Sequence, residues 1–393
     1  MDKKTIKDID VYNKKVLLRV DFNVPIKDGV ITDDNRIKEE LPTIKYLLEN
    51  GAAVIIMSHL GRPEGQVNLK YSLLPTVDRL SQYLGIQVKF ANDCIGKEAV
   101  EMAKELKSGE VLVLENLRFY AEEEANDKAF CEKLAKLADV YVNDAFGTAH
   151  RKHASTYGVA KLLPNAVGFL IEKELSMIVD TINEPKRPFV GILGGAKVSD
   201  KLTIVESLIN KVDTLIVGGA MSYTFLMAEN YNTGDSRVEK EMVDEAKRLL
   251  ELAKEKGVQL LLPVDHVVAN NFDNPTIIKN TVDANVPNGF MGMDIGKRTI
   301  KLYKRAIKEA KTVIWNGPMG VFENKNFENG TKAVAKAMAK SKATTIVGGG
   351  DSAAAVIKFK YAKKMTHIST GGGASLKLFE GKVLPAVDVI ENK

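Results

Sequence analysis

The chain has 393 residues, of which 45% are hydrophobic and 27% charged, and its formal net charge is +5. This length is sufficient for two domains, each with its own core, and the composition is that of an ordinary globular protein. There are only two cysteines, no apolar run near the ~20 residues of a membrane span, and no dense Lys/Arg run. These features exclude a disulfide framework, a membrane protein and a nucleic-acid-binding protein. Because Met1–Lys4 leads into a strand-like segment without an apolar signal core, we expect a cytoplasmic protein.

Short β-branched runs alternate with amphipathic stretches along the chain, which predicts a parallel α/β architecture. The predicted strands are Val16–Val20, Ala53–Met57, Val88–Phe90, Val111–Leu114, Val140–Asn143, Phe189–Leu193, Thr214–Val217, Gln259–Leu262, Thr312–Trp315, Thr344–Val347 and His367–Ser369. The predicted helices include Glu39–Glu49, Ala129–Ala138, Glu239–Lys256 and Thr331–Ser341. A domain boundary is expected near residues 170–188, because helical apolar spacing over Ile171–Ile182 is followed by a segment with two prolines.

The loop after the first predicted strand carries two polar residues that alternate with apolar ones. Asp21 and Asn23 therefore leave the backbone on the same side, and the intervening Phe22 leaves it on the other. An Asx turn would explain the same pattern. Arg36 follows in a charged segment just before a helix, where a solvated helix start is the alternative interpretation.

Arginines recur in the other loops that follow strands of the first half. His59 and Arg62 follow the second strand, Arg118 follows the fourth, and Arg151 lies beyond the fifth. Ligands of parallel sheets bind at the carboxyl ends of the strands, so these side chains are expected at one edge. Several arginines there would repel one another unless an anion lay between them, and guanidinium groups suit phosphate and carboxylate. The pattern predicts a site for a small molecule with several negative charges.

Two glycine triplets in the second half, Gly348–Gly350 and Gly371–Gly373, each follow a β-like run and precede small residues. Such a junction exposes backbone N–H groups at a helix N-terminus, where an anion binds. One junction alone could be a structural turn, but two favour phosphate binding. Asp351 follows the first triplet, and it could cap a helix or hold Mg²⁺ against nucleotide phosphates.

Three more residues of the second half are candidates for nucleotide binding. Lys197 and Lys201 follow a Gly-Gly turn and would share a face if a helix starts there, although surface solvation is the usual role of such lysines. Glu323 follows a Gly-Pro turn and could accept hydrogen bonds from ribose or only cap the turn.

The common nucleotide-binding motifs are poorly matched. There is no P-loop motif. Gly348-x-Gly350-x-x-Ala353 fits a loose dinucleotide fingerprint, but Thr370 and Gly371 stand where its acidic residue belongs. An NAD-dependent dehydrogenase and a non-catalytic sensor of sugar phosphates or nucleotides therefore remain as alternatives.

Taken together, these segments resemble the phosphoglycerate kinase family over essentially the whole chain. The resemblance is carried by Arg19–Pro25, Ser58–Pro63, Asn143–Arg151, Gly194–Lys201, Asn316–Glu323, Gly348–Ser352 and Ser369–Ala374. It implies an α/β fold of two Rossmann-like lobes, each a parallel sheet flanked by helices and joined by a hinge helix. The implied division is a phosphoglycerate-binding domain at 1–170, a hinge at 171–188 and a nucleotide-binding domain at 189–374. A tail from about 375 to 393 would pack back on the first domain.

The resemblance also implies an activity: reversible phosphoryl transfer from 1,3-bisphosphoglycerate to MgADP, giving 3-phosphoglycerate and MgATP in glycolysis. The expected partners are these small molecules and Mg²⁺, with no nucleic acid or membrane, and the expected state is a monomer. The implied phosphoglycerate-binding residues are Asp21, Phe22, Asn23, Arg36, His59, Leu60, Gly61, Arg62, Arg118 and Arg151. The implied nucleotide-binding residues are Lys197, Lys201, Glu323, Gly350, Asp351 (also the Mg²⁺ ligand), Ser352 and Ala353.

The attacking atom is an anionic oxygen in both directions, so the reaction needs no general base. It needs groups that neutralise charge on the moving phosphoryl group, and we assign this to Arg36, Lys197 and the N–H groups of Gly371, Gly372 and Gly373. Because the two substrates belong to different lobes, we expect the lobes to close before transfer. Ala220, Ser222 and Leu117 depart from the family pattern. We expect these departures to affect the adenine pocket or local packing, and not the groups that stabilise the moving phosphoryl group.

Overall fold

Parallel strands alternating with helices build both halves of the chain, as seen in a computed structural model that describes residues 2–393. The chain divides into two units, one running to Ser176 and including Val383–Lys393, the other covering Met177–Lys382.

The first unit contains a six-stranded parallel sheet in the order β5-β6-β4-β1-β7-β8. Its strands are β1 (Lys15–Arg19), β4 (Ala53–Met57), β5 (Val88–Ala91), β6 (Val111–Leu114), β7 (Val140–Asn143) and β8 (Asn165–Val167), and β2 (Ile26–Lys27) and β3 (Val30–Ile31) form an antiparallel hairpin. The helices are α1 (Asn35–Glu49), α2 (Leu74–Leu84), α3 (Lys97–Glu105), α4 (Ala121–Ala125), α5 (Lys128–Ala135) and α6 (Phe169–Leu175). Short 3-10 helices cover Leu69–Tyr71, Leu117–Phe119, Phe146–Thr148 and Val159–Lys161, and a π-helical turn covers Ala154–Gly158.

The C-terminal segment completes the first unit. Lys4 N–H donates to the Glu391 carbonyl at 2.9 Å, and Glu391 N–H donates to Asn165 Oδ1 at 2.8 Å. The short helix Pro385–Asp388 lies at this end, where Ala386 N–H donates to the Ala149 carbonyl. The last residues therefore hold the edge strand β8 and the loop that carries Arg151.

The second unit contains another six-stranded parallel sheet, in the order β11-β10-β9-β15-β16-β17, and a three-stranded antiparallel sheet in the order β13-β12-β14. Its strands are β9 (Phe189–Leu193), β10 (Thr214–Val217), β11 (Gln259–Leu261), β12 (His266–Ala269), β13 (Ile278–Asn280), β14 (Met291–Ile295), β15 (Thr312–Asn316), β16 (Thr344–Gly348) and β17 (His367–Ile368). The helices are α7 (Thr181–Asn183), α8 (Leu202–Ile209), α9 (Met221–Ala228), α10 (Val243–Glu255), α11 (Lys297–Glu309), α12 (Asn329–Lys340), α13 (Gly350–Lys358) and α14 (Gly372–Phe379). The 3-10 helices are Lys240–Met242, Lys325–Phe327 and Ala362–Lys364.

The predicted α/β class with two helix-flanked parallel sheets is confirmed. The strand β8, the β2–β3 hairpin and the antiparallel sheet β12–β14 were not predicted. β2, β3, β8 and β13 have only two or three residues each, and Gly292 and Asp294 interrupt the apolar residues of β14. The helical spacing over Ile171–Ile182 corresponds to α6, a π-helical segment Ser176–Asp180 and α7. In residues 2–393, no helix combines the length and apolar character needed to cross a membrane.

The central strands of both sheets are fully buried and rich in branched apolar residues. Leu17 of β1 pairs with Ile55 of β4, and Ile314 of β15 pairs with Gly191 of β9. Burial of such apolar surface is the main stabilising contribution to these sheets. It also fixes the carboxyl ends of the strands, from which the candidate site residues extend.

Candidate functional site

A fully buried arginine lies beneath the polar edge of the first sheet. Arg19, at the end of β1, donates from Nε to Ser155 Oγ at 2.8 Å and from Nη2 to His59 Nδ1 at 3.2 Å. Ser155 in turn donates to both carboxylate oxygens of Glu123, at 2.5 and 2.9 Å. Burial raises the pKa of Glu123, and the Arg19 charge opposes that shift. The charge of Arg19 is therefore compensated by Glu123 through Ser155, and its role is structural. This role was not predicted.

The polar residues predicted after the first strand meet Arg36. Asp21 forms an ion pair with Arg36 Nη1, and its Oδ1 accepts from Asn23 N–H at 3.1 Å. Burial acts to raise the pKa of Asp21, but interactions with His59, Arg36 and Arg19 lower it to about 2. Asp21 is thus ionised at neutral pH and orients Arg36. Arg36 lies in the first turn of α1, which begins at Asn35, and not before the helix as predicted.

A buried carboxyl pair supports this arrangement from below. Glu40 Oε1 accepts from Asp21 N–H at 3.1 Å, while Glu40 Oε2 is buried without a hydrogen-bond partner. Burial, reinforced by the neighbouring Asp144, raises the pKa of Glu40 well above its ordinary value. Asp144 accepts from Ile171 N–H at 3.0 Å and from Thr43 Oγ1, and burial raises its pKa to about 6. A proton on Glu40 would allow this carboxyl group to donate a hydrogen bond to the neighbouring Asp144.

The loops after β4 and β6 are joined by hydrogen bonds that place Arg118 beside Asn23. Gly61 N–H donates to Asn23 Oδ1 at 2.9 Å, and the Gly61 carbonyl accepts from Arg118 Nη1 at 2.8 Å. Asn116 holds the same loop by accepting from Leu60 N–H and donating to the Leu60 carbonyl. Gly61 adopts a φ of +63°, which favours glycine at this turn.

Arg118 has more donors than partners. It is buried, and its Nε and Nη2 have no hydrogen-bond partner, although the Glu124 carboxylate lies 3.4 Å from Nε. Burial lowers the pKa of Arg118, the Glu124 charge opposes this shift, and the nearby charges of Arg19 and Arg151 add to it. A guanidinium stays protonated in proteins, so this region holds positive charge that calls for an anion.

Two histidines lie among these cations. Burial lowers the pKa of His59 well below its ordinary value, and Arg19, Arg118 and Arg36 lower it further. The same causes, burial first and then nearby arginines, lower the pKa of His153 to about 4. Both rings are neutral at pH 7. His153 was not predicted, although its position three residues after His150 in the loop of Arg151 was a usable signal.

The remaining residues predicted for the first unit differ in burial and in their contacts. Arg151 Nε lies 3.3 Å from His150 Nε2. The side chains of Phe22 and Leu60 are buried in the core, and Phe22 N–H donates to Ser58 Oγ at 2.8 Å. Arg62, which follows Gly61, is exposed. The structure therefore brings together the predicted residues Asp21, Asn23, Arg36, His59, Gly61, Arg118 and Arg151.

In the second unit, loops at the carboxyl ends of β9, β10 and β15 pack backbone against backbone. Gly194 N–H donates to the Asn316 carbonyl at 2.9 Å, and Gly219 N–H donates to the Met319 carbonyl at 3.1 Å. A Cβ at Gly194 would lie 2.0 Å from the Pro318 carbonyl oxygen, so only glycine permits this approach. Ser222, one of the departures from the family pattern, donates to the Gly219 carbonyl at 2.7 Å.

Lys201 and Asp351 lie at this edge. Lys201 Nζ donates to Asn316 Oδ1, and burial lowers its pKa while the charge of Asp351 opposes the shift. Asp351 is exposed at the second position of α13, and the N-cap is Gly349, so Asp351 is not the N-cap. Lys197 and Lys201 precede α8, which starts at Leu202, so they do not share a helical face.

Glu239, which was not predicted, organises the Lys197 loop. Its carboxylate accepts from Val198 N–H at 2.6 Å, Ser199 N–H at 3.1 Å and Ser199 Oγ at 2.5 Å. Burial acts to raise the pKa of Glu239, but these hydrogen bonds and, to a smaller extent, the charge of Lys197 lower it. Glu323 is exposed on the turn after Phe322, and the structure gives it no defined role.

The two glycine triplets occupy the predicted strand-to-helix junctions. Gly348 ends β16 and Gly350 starts α13, while Gly371 precedes α14. Gly349 has a φ of +89°, and a Cβ there would lie 2.6 Å from Asn316 Nδ2. A Cβ on Gly372 would lie 3.3 Å from the Gly350 nitrogen, so the two helix N-termini are adjacent. The N–H groups of both first turns, including those of Ser352 and Gly373, lack intrahelical partners and suit an anion.

No three His, Cys, Asp or Glu side chains of the described chain form a cluster able to hold a metal ion. A single exposed carboxylate such as Asp351 suits Mg²⁺ that arrives bound to nucleotide phosphates.

Comparison with known proteins gives one consistent match. The family profile for phosphoglycerate kinase matches residues 6–382. Phosphoglycerate kinases of Clostridium perfringens (strain SM101 / Type A) and Clostridium novyi (strain NT) are each 56% identical over the whole of this chain, covering 99% and 100% of those relatives. The structure of phosphoglycerate kinase from Coxiella burnetii matches with a TM-score of 0.90 and 41% identity, covering 98% of both chains. The enzyme from Pyrococcus horikoshii OT3 matches with a TM-score of 0.83 and 38% identity over the same shares.

Proposed function

The chain belongs to the phosphoglycerate kinase family, and we infer that it transfers a phosphoryl group from 1,3-bisphosphoglycerate to MgADP, giving 3-phosphoglycerate and MgATP, reversibly. The observation that carries this inference is the buried Arg118, whose Nε and Nη2 have no hydrogen-bond acceptor although the charges of Arg19 and Arg151 lie nearby. A polyanionic ligand supplies the missing acceptors. The family assignment does not support a dehydrogenase or a non-catalytic sensor.

The first unit supplies the phosphoglycerate site in this proposal. Arg36, oriented by Asp21, and Arg118, fixed through Gly61, present charged donors to the carboxylate and phosphate. Asn23, neutral His59 and Arg151 complete the set of side chains that bind phosphoglycerate. The exposed Arg62 also belongs to this set.

The second unit supplies the nucleotide site. The N–H groups at the starts of α13 and α14 contact phosphate oxygens, and Lys197 and Lys201 add positive charge. Asp351 binds the magnesium that accompanies ADP or ATP, while Glu323 contacts the ribose. Magnesium is part of the nucleotide substrate here, and it neutralises phosphate charge.

Transfer moves the phosphoryl group from the acyl phosphate oxygen of 1,3-bisphosphoglycerate to the terminal oxygen of ADP. The P–O bond to the carboxyl group breaks, a P–O bond to ADP forms, and the leaving carboxylate needs no proton. Arg36, Lys197 and the N–H groups of Gly371–Gly373 stabilise charge on the moving group. Because each substrate has its own unit, we propose that both must be bound for closure about residues 171–188. Small-angle scattering should show smaller dimensions only with both substrates, and unchanged dimensions would contradict closure.

The activity test is ATP formation from 1,3-bisphosphoglycerate, ADP and Mg²⁺, read through a luminescent ATP sensor. Arg118→Met should raise the KM for 1,3-bisphosphoglycerate with little effect on the KM for ADP. A protein that is folded by circular dichroism but forms no ATP above the enzyme-free reaction would overturn the proposed function. The further proposal is that the enzyme acts as a cytoplasmic monomer, which sedimentation velocity can test.

A further inference from the structure

An open groove of about 1050 Å³ lies in the second unit between α11 and α12, away from the residues assigned to catalysis. Its lining residues are Lys297, Ile300, Lys301, Lys304, Arg305, Lys308, Glu309, Ala337, Lys340 and Ser341. Six of these are cationic and one is acidic. The groove therefore concentrates positive charge far above the average of this chain.

The lysines on α11 form an ordered row. Lys297, Lys301, Lys304 and Lys308 follow one another at helical spacings of four, three and four residues, which places them on one side of the helix. At 1.5 Å per residue the row extends about 16 Å, or three turns. All four are exposed. Within residues 2–393, Arg305 is the groove cation paired with a carboxylate, its Nε lying 3.1 Å from Glu309.

The groove combines apolar residues with cations, five of which lie on α11 and one, Lys340, on α12. Ile300 and Ala337 are half-buried between the helices, and lysine stems extend the apolar surface. The N-terminus of α11 is already capped, because Asp265 accepts from Arg298 N–H at 2.9 Å and from Thr299 N–H at 2.7 Å. The positive charge therefore comes from the side-chain row, which is too long for one phosphate group.

The shape and chemistry of the groove discriminate between polyanions. No aromatic residue lines it, so it lacks the stacking surfaces by which single-stranded nucleic acids are held. Its apolar residues are recessed between two helices, whereas a membrane surface requires them to project. An amphipathic helix laid in a groove matches this combination of apolar residues and cations.

We propose that this groove binds an acidic amphipathic helix of a partner protein. The helix places apolar residues on Ile300 and Ala337, and glutamates or aspartates at positions i, i+4, i+7 and i+11 pair with the lysine row. This interaction is independent of phosphoryl transfer, since none of the groove residues has a role in the proposed active site.

The test uses a fluorescein-labelled 16-residue peptide, held helical by lactam bridges, with that spacing of glutamates beside a leucine and alanine face. A second peptide has the same composition with its glutamates distributed around the helix. Anisotropy titrations compare wild type with Lys301→Gln/Lys304→Gln/Lys308→Gln. The matched control is Lys247→Gln/Lys254→Gln/Lys256→Gln, which removes the same charge from exposed lysines on and just after α10.

We expect the groove variant to bind the patterned peptide about tenfold more weakly than wild type, and more salt to weaken wild-type binding, because exposed ion pairs are modest and screened. The control variant should bind like wild type, and both variants should keep full kinase activity. Equal binding of the two peptides, equal binding by the groove variant, or no detectable binding to wild type would each overturn the proposal. So would stronger competition by an oligonucleotide or by phosphatidylserine vesicles than by unlabelled patterned peptide.

Discussion

Replacing Arg118 by methionine should weaken 3-phosphoglycerate binding strongly while leaving the ligand-free protein about as stable as before. The Nε and Nη2 donors of Arg118 are buried without hydrogen-bond partners, and Nη1 is bonded to the Gly61 carbonyl at 2.8 Å. A bound anion can accept hydrogen bonds from these two donors. Without ligand, the substitution removes one hydrogen bond and the 3.4 Å ion pair of Nε with the half-exposed Glu124, and such an exposed pair contributes little.

The magnitudes follow from these contacts. Hydrogen bonds to charged groups contribute about 1.5–3 kcal/mol each, so two of them correspond to a loss of roughly 100-fold or more in affinity. Without ligand, losing the Gly61 bond costs about 1.5 kcal/mol, while removing unpaired buried donors returns about 1–3 kcal/mol. The free energy of unfolding should therefore either fall by less than about 1.5 kcal/mol or rise.

Calorimetric titration with 3-phosphoglycerate and with ADP, and urea unfolding followed by circular dichroism, measure the two effects. Arg248→Met is the matched control, because Arg248 lies on α10 in the second unit, pairs with Glu245 at 2.6 Å and with Glu206 at 3.0 Å, and has no role in the proposed site. It should leave both affinities unchanged. If Arg118→Met destabilises the ligand-free protein by more than ~3 kcal/mol and binds 3-phosphoglycerate normally, Arg118 is a structural residue and the reasoning fails.

Three further substitutions test other parts of the site. Arg36→Ala should lower kcat by about 10²–10³ while changing ADP affinity little, and equal losses in both would contradict its role in transfer. Asp351→Asn should raise the Mg²⁺ concentration for half-maximal activity about tenfold yet leave ADP binding in EDTA unchanged, and a shift in metal-free binding would count against a metal role. Burial raises the pKa of Glu40, so its stabilising effect is present below the unfolded pKa and is lost as pH rises through the folded one. The unfolding free energy of wild type minus that of Glu40→Gln should therefore fall between pH 5 and pH 8, whereas a constant difference in urea titrations would refute a buried neutral Glu40.

The central strands could be predicted because they are buried on both faces and read as continuous apolar runs. Phe189–Leu193 is such a run, and its observed bounds are those predicted. Ile278–Asn280 of the antiparallel sheet is exposed along its length, so neither burial nor periodicity marks it. Local patterns carry no information on a strand that depends on its neighbours for pairing.

The candidate site likewise contains residues that could be predicted from the sequence and residues that could not. Loops after strands were predictable because the carboxyl ends of parallel strands meet at one edge, and Asp21 and Arg118 lie there. The partners that hold them were not predictable, because Ser155 is 136 residues from Arg19 and Glu239 is 40 residues from Ser199. Such contacts depend on the tertiary fold, whereas the sequence pattern describes only neighbours along the chain.

The charges of the first unit explain why its cations tolerate one another without ligand. Arg19 is compensated through Ser155 by Glu123, and Arg36 is compensated by Asp21. Arg118 has no hydrogen-bonded carboxylate, and its one ion pair is with the half-exposed Glu124, 3.4 Å from Nε. Arg118 is therefore the least compensated of these three cations, and it lies where the substrate's anionic groups are proposed to bind. Because an anionic ligand can accept hydrogen bonds from Nε and Nη2, binding energy and specificity for a polyanion arise from the same donors.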